Sequence, residues 1–247
     1  MPDNDNDNVP SGDLAGIAIT TISEVLAAYL AEEKARLKPD SYDLYADVIK
    51  LLQASLDGYA HASLETHERA FLERHFNADG DRHREFCEIF GPEHILPNIG
   101  EFLGYFMIRK VMADQALLRA SGTVTKKLAA WLGAKGYAGT AETAAAVERG
   151  TAAARDLPNA EKLTALLYEL TSGRYVPEDD DIEDQFEVER VEPGKIWLEI
   201  FDSGRQVVPI SLPEAATELC QAGWTISGAV RRIGEKWVLV EAWNVYP

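Results

Sequence analysis

Large apolar side chains are densest at residues 98–112, which read Asn98-Ile99-Gly100-Glu101-Phe102-Leu103-Gly104-Tyr105-Phe106-Met107-Ile108-Arg109-Lys110-Val111-Met112. At about 100° per residue, these apolar side chains occupy most of the circumference of a helix. A helix of this kind is buried on several sides, so we expect other helices around it. Asn98 and Glu101 have the residue types and the spacing of a helix-capping pair, which predicts that the helix begins at Asn98.

Amphipathic patterns on both sides of this run predict a bundle of helices over residues 19–174. Thr21 and Glu24 form a capping box at the start of the first helix, and Gly136 ends the helix that follows the central run. Pro158 predicts a break between two alanine-rich helices, because proline interrupts the hydrogen bonds of a helix interior. In chain order, the first two predicted helices begin near Thr21 and near Asp40, and the next three cover 63–76, 83–90 and 98–112. A further helix carries Val124 to Leu132 on its apolar face, and the last two lie at 140–154 and 163–170.

After residue 186 the apolar period changes from about 3.6 residues to two, which predicts strands. The order of three strands, a short helix and two strands is that of an OB-type barrel, and an SH3-type barrel is the alternative. The predicted strands lie near 186–192, 195–201, 206–211, 224–232 and 237–243, with the helix at 213–222.

We therefore predict an α+β chain of two segregated domains, an N-terminal all-α bundle and a small five-stranded β-barrel. The expected division is a disordered polar tail at 1–18, the helical domain at 19–174, an acidic linker at 175–185 and the barrel at 186–247.

Composition limits the possible partners and compartments. The net charge of −17 repels nucleic acid and anionic membranes on average, so a polyanionic partner requires a local basic patch. Cys87 and Cys220 are far apart in sequence, which argues against a disulfide framework. The N-terminal residues lack the pattern of a secretory signal, and no apolar run has the length of a membrane span. A cytoplasmic protein without membrane contact is expected.

The candidate nucleic-acid-binding residues are basic side chains in two regions. One region is the locally basic stretch 109–135, and the other lies near Trp237 in the barrel, where aromatic rings could stack on bases. The alternative is a structural role, in which these cations pair with acidic neighbours and the tryptophans fill the barrel core. The candidates are Arg109, Lys110, Arg119, Lys126, Lys127, Lys135, Arg231 and Arg232.

All the histidines fall between His61 and His94. His83 and Cys87 are one helical turn apart, so a metal site is conceivable, although the spacings match no zinc pattern. Residues 77–88 place oxygen donors as a calcium loop does, but Arg82 stands where that loop needs glycine. We predict no metal site, no cofactor and no catalytic residue, because no nucleophile, phosphate-loop or dinucleotide motif occurs.

Three segments of the helical half, at residues 22–30, 38–45 and 123–137, have a pattern that resembles the N-terminal, SAM-like core-binding domain of phage integrases and other tyrosine recombinases. The resemblance implies a helical module that clasps DNA. It does not imply recombination, because the arginine, lysine, histidine and tyrosine set of the family's catalytic domain does not follow. The matching segments are Ile22-Ser23-Glu24-Val25-Leu26-Ala27-Ala28-Tyr29-Leu30, Lys38-Pro39-Asp40-Ser41-Tyr42-Asp43-Leu44-Tyr45, and Thr123-Val124-Thr125-Lys126-Lys127-Leu128-Ala129-Ala130-Trp131-Leu132 with Gly136-Tyr137.

The sequence thus predicts a non-enzymatic binding or adaptor protein that contacts nucleic acid through its integrase-like module, weakly and with strong salt dependence. One alternative is a protein-interaction or regulatory scaffold that binds no nucleic acid. A weaker alternative is a metal-binding protein that uses the histidine-rich segment 61–94. The oligomeric state does not follow from the sequence.

Overall fold

A computed structural model describes residues 17–172, 181–201 and 204–247. Helices fill the N-terminal part of the described chain and a closed five-stranded β-barrel fills the C-terminal part, which confirms the predicted α+β layout. The chain divides into two compact units, Met1–Asn98 and Ile99–Pro247. The change from helix to strand therefore lies inside the second unit.

The first unit contains α1 (Ile22–Arg36), α2 (Pro39–Tyr59), α3 (Thr66–Phe76) and α4 (Phe86–Ile89), with short 3-10 turns after α2, α3 and α4. The predicted capping box is confirmed, since the Glu24 amide donates to Thr21 and the Thr21 amide donates to Glu24. Helix α2 was predicted to begin near Asp40 and begins at Pro39, with Lys38 as its cap. Proline suits this position, where no partner for its missing N–H is needed.

The central helix (residues 99–109) opens the second unit. It consists of α5 (Ile99–Glu101), a π-helical segment (Phe102–Phe106) and α6 (Met107–Arg109). Phe102, Phe106 and Met107 are buried, which confirms that this run packs into a core. The predicted cap was wrong: the Asn98 side chain donates to the His94 carbonyl, because a 3-10 turn already precedes the helix.

Helices α7 (Gln115–Ala134) and α8 (Thr140–Thr171) pack against each other with their backbones in contact. A Cβ atom added at Gly122 would lie 2.6 Å from the Gly150 carbonyl oxygen and 2.7 Å from the Ala154 Cα. One added at Gly150 would lie 2.8 Å from the Lys126 amide nitrogen. Both glycines are therefore needed for the close approach of the two helices.

The predicted break at Pro158 was wrong, because α8 continues through this residue as a single helix. Proline removes one hydrogen bond from a helix interior and costs about 3 kcal/mol there. Leu157, Ala160, Leu163 and Leu167 are all buried on the surrounding turns. Burial of an apolar side chain contributes about 1.5–3 kcal/mol, so this face outweighs the proline.

The barrel strands are β1 (Ile182–Glu192), β2 (Lys195–Phe201), β3 (Arg205–Ser211), β4 (Thr225–Ile233) and β5 (Lys236–Tyr246), with α9 (Glu214–Thr217) between β3 and β4. The strand order around the closed barrel is β1-β2-β3-β5-β4. Neighbouring strands are antiparallel except β3 and β5, which are parallel and pair at Ile210 and Trp237. This order, with a helix after the third strand, is the predicted OB-type arrangement.

Ala160, Leu163 and Leu167 of α8 share one hydrophobic core with the barrel strands. The helical and strand-rich parts of the second unit are thus one packed structure. The first strand begins at Ile182, so residues 182–185 of the predicted linker belong to the barrel. Residues 175–180 of that linker, and residues 1–16 of the predicted tail, lie outside the described residues.

Candidate nucleic-acid interface

Three of the predicted cations lie on one face of α7. Arg119, Lys126 and Lys127 are exposed, whereas Leu118, Val124, Leu128 and their neighbours on the opposite side are buried. At 100° per residue the three cations fall within an arc of about 100° of the helix circumference. We call this surface the cationic face of α7.

The remaining exposed positions on this face are short side chains. They are Ala116, Ala130 and Ala134, with the half-buried Thr123 between them. No acidic residue occurs in α7. In the described parts of the chain, neither Arg119 nor Lys126 has a carboxylate partner. The three cations are spread over a rise of about 12 Å along α7, so an extended anion that lies along this face would meet each of them.

Lys135 lies just beyond α7 and takes part in an aromatic cluster. Its Nζ is 5.3 Å from the centre of the Trp131 ring, which is 6.1 Å from the Tyr137 ring. A cation over an aromatic ring keeps its charge and is attracted by the ring face. Lys135 is exposed, but at 100° per residue it lies outside the arc of the cationic face of α7.

Arg109 and Lys110 lie at the end of the central helix, and each contacts an aromatic side chain. Arg109 Nη1 donates to Tyr246 Oη at 2.7 Å, and this hydrogen bond raises the pKa of Arg109 further. Lys110 Nζ is 5.7 Å from the centre of the Tyr105 ring. Both side chains are exposed, and they belong to a different helix from Arg119, Lys126 and Lys127.

The two arginines predicted in the barrel differ from each other. Arg231 forms a bidentate ion pair with Asp181, with Nε to Oδ1 at 2.6 Å and Nη2 to Oδ2 at 2.9 Å. The exposed fractions of these side chains are 12% and 4%, so Arg231 is committed to holding the start of β1 against β4. Arg232 is exposed and donates to the Gly234 carbonyl at the β4–β5 turn.

A second exposed surface, which the sequence did not indicate, covers β1, β2 and β3. A bulge between Val188 and Arg190 turns both Glu189 and Arg190 outward. Arg190 then stacks on Trp197, 3.6 Å from the ring centre. Nearby Phe201 is 62% exposed and Val207 48% exposed. We call this surface the outer face of β1–β3.

The charges on the outer face of β1–β3 neutralise one another. Arg205 donates to the Glu199 carboxylate and, through Nη2 at 2.9 Å, to Glu189. The hydrogen bonds from Arg205 lower the pKa of Glu199. Arg190 lies 3.6 Å from Glu192. A surface with its cations paired in this way offers phosphate groups little net attraction.

The tryptophans predicted as possible stacking platforms have different environments. Trp224 is 4% exposed and belongs to the barrel core, so the alternative reading was correct for it. Trp237 is half-buried against the same core. Trp243 is 39% exposed, and Trp197 is already stacked by Arg190.

The histidine-rich segment does not assemble a metal site. Nδ1 of His75 lies 3.0 Å from the Phe71 carbonyl, and Nε2 of His94 is 3.7 Å from Glu68. His83 contacts the Phe76 carbonyl and Glu85. No group of three or more possible ligands from His, Cys, Asp and Glu occurs among the described residues, which include all of 61–94.

No helix of the described chain is both long and apolar enough to cross a membrane. Comparison with known proteins provides no relative: no family model matches the chain, and neither a curated protein nor a solved structure matches it.

Proposed function

We propose that the protein is a non-enzymatic binding protein that contacts nucleic acid through the cationic face of α7. The observation that carries the proposal is the alignment of Arg119, Lys126 and Lys127 on one exposed face of a helix that itself contains no acidic residue. Short side chains between these cations let a phosphate backbone approach closely. The resemblance of residues 20–138 to integrase core-binding domains supports DNA as the polyanion, by analogy.

The binding is expected to be weak and strongly salt-dependent. Each neutralised phosphate adds about −0.9 to the slope of log K against log salt, so three contacts give a slope of about −2.7. The affinity then falls about 40-fold between about 50 and 200 mM salt. The net charge of −17 adds a general repulsion that acts mainly at low salt.

Fluorescence anisotropy with a labelled duplex and a labelled single strand, at several salt concentrations, tests the proposal. The Lys126→Ala/Lys127→Ala variant is expected to reduce the slope by about 1.8. A Lys50→Ala/Lys162→Ala variant removes the same charge from exposed positions elsewhere, and its slope should equal that of the unaltered protein. Absence of binding at low salt, or an equal loss in both variants, contradicts the proposal.

The outer face of β1–β3 favours a second candidate function, a protein-interaction scaffold. Exposed Phe201 and Val207 beside Trp197 and Arg190 have the composition of interface centres, where aromatic residues and arginine are enriched. A photo-crosslinking residue at position 201 should capture one discrete partner, and Val207→Glu should abolish this product. The same crosslinker at exposed Ile233 is the matched control.

A further inference from the structure

The second unit contains a cavity of about 540 Å³ that the proposed function does not use. This volume is in the range of about 300–1,000 Å³ that is usual for small-molecule sites. Four elements form the cavity: the end of the central helix with the segment that follows it, the first turn of α7, the middle of α8 and the end of β5. We call it the Met107 cavity.

Buried apolar side chains form the floor of the Met107 cavity. Met107, Leu118, Leu157 and Ala160 line it, and each is no more than 3% exposed. Met112 stands at its edge with its side chain fully exposed. Methionine is flexible and polarisable, so it can fold over an apolar guest of variable shape.

Two hydrogen bonds hold the walls in place. Asp114 Oδ1 accepts from the Leu117 amide at 2.8 Å, which fixes the start of α7. Thr164 Oγ1 accepts from the Val245 amide at 3.1 Å, which fixes the end of β5 against α8. The cavity therefore lies between elements that are already tied together, and a guest need not order them.

The charged side chains that line the cavity, among the residues that the structure describes, are both acidic. Asp114 and Glu161 contribute carboxylates, and none of the other described lining residues is a lysine, arginine or histidine. Glu161 is exposed at the mouth and, in the described parts of the chain, has no cationic partner. A carboxylate beside an apolar floor complements a molecule with a cationic head and an apolar body.

We propose that the Met107 cavity binds a small amphipathic amine, with its alkyl or aromatic body on the apolar floor and its ammonium group at Glu161. This site is independent of the cationic face of α7, so neither proposal depends on the other. An anionic amphiphile of equal length would bring like charges together at the mouth. A neutral one would leave the carboxylate without its partner.

Isothermal titration calorimetry with octylammonium chloride, below its micellar concentration, tests the assignment. Octylammonium is expected to bind at one site per chain, and octanoate and octanol are expected to bind at least about tenfold more weakly. Glu161→Gln should weaken octylammonium about fivefold, as loss of a partly exposed charge pair does. Glu169→Gln, an equal change at an exposed position of the same helix, should leave the affinity unchanged.

Ala160→Phe fills the cavity and should abolish binding, and circular dichroism of this variant shows whether it remains folded. Glu161→Gln lies on the surface and remains informative if Ala160→Phe does not fold. Equal binding of octanoate and octylammonium overturns the assignment, as does the absence of heat with all three compounds. A dimer in sedimentation that octylammonium does not dissociate also overturns it, because a second copy would then occupy the cavity.

Discussion

Replacement of Gly122 by alanine should destabilise the second unit, although alanine is the better helix former. The new Cβ would lie 2.6 Å from the Gly150 carbonyl oxygen and 2.7 Å from the Ala154 Cα. Both contacts are with backbone, so no side-chain rotation can relieve them. Helices α7 and α8 must move apart, and the buried side chains on both sides of the contact must repack.

The expected magnitude follows from two opposing effects. Overpacking of a dense interior costs about 1–3 kcal/mol, and backbone on both sides of the new methyl group places this contact in the upper half of the range. Alanine in place of glycine in a helix contributes about 1 kcal/mol in the opposite direction. The net loss is about 1–2 kcal/mol, which lowers Tm by about 3–6 °C for a unit of this size.

Urea unfolding followed by circular dichroism measures this loss, with constant m values showing that only stability has changed. Gly104→Ala is the matched control in the same unit, because nothing lies within 4 Å of its added Cβ. It should be neutral or up to about 1 kcal/mol more stable. If Gly122→Ala is as stable as Gly104→Ala, the helices are not in backbone contact and our description of their packing is wrong.

Three further outcomes are expected. Asp181→Asn should cost about 1.5–3 kcal/mol because Arg231, which is only 12% exposed, loses a charged bidentate acceptor. Glu192→Gln in the exposed Arg190 pair should change stability by less than about 0.5 kcal/mol, and chemical unfolding compares the two variants. The hydrogen bond to Glu85 raises the pKa of His83. The stabilisation from protonated His83 is therefore complete below about pH 6.5 and is lost as the pH rises through the pKa of the folded protein. The urea midpoints at about pH 6 and pH 8 should differ more for the unaltered protein than for His83→Gln. Burial raises the pKa of Cys220 to about 11 and that of Cys87 still further, so Ellman's reagent at about pH 8 should label neither thiol in the folded chain and both in concentrated guanidinium chloride.

The apolar pattern was sufficient to predict the central helix and the barrel because each depends on side chains that recur with one period. Phe102, Phe106 and Met107 are buried as their spacing indicates. The strands occur in the expected order, with ends that differ by a few residues. The break predicted at Pro158 was wrong because burial of the adjacent leucines stabilises the helix by more than the proline destabilises it.

The candidate sites were less predictable than the fold. The three cations of α7 could be placed on one face from the sequence, because the apolar pattern predicts that helix. The ion pair of Arg231 with Asp181 could not be predicted, because the two residues are 50 positions apart in sequence. The outer face of β1–β3 depends on the bulge at Glu189, which turns two consecutive residues to the same side. Strict alternation cannot indicate such a bulge. The Met107 cavity joins residues that are far apart in sequence, so no local pattern signals it.

The parallel pairing of β3 with β5 is much shorter than the other strand pairings of the barrel. Of the residues that the structure describes, Ile210 and Trp237 alone pair between these two strands, whereas β2 and β3 pair along their whole length. A closed sheet loses least when it parts along its shortest row of hydrogen bonds. Opening of the barrel should therefore start beside Trp237, whose half-buried indole ring would become more exposed at that first step.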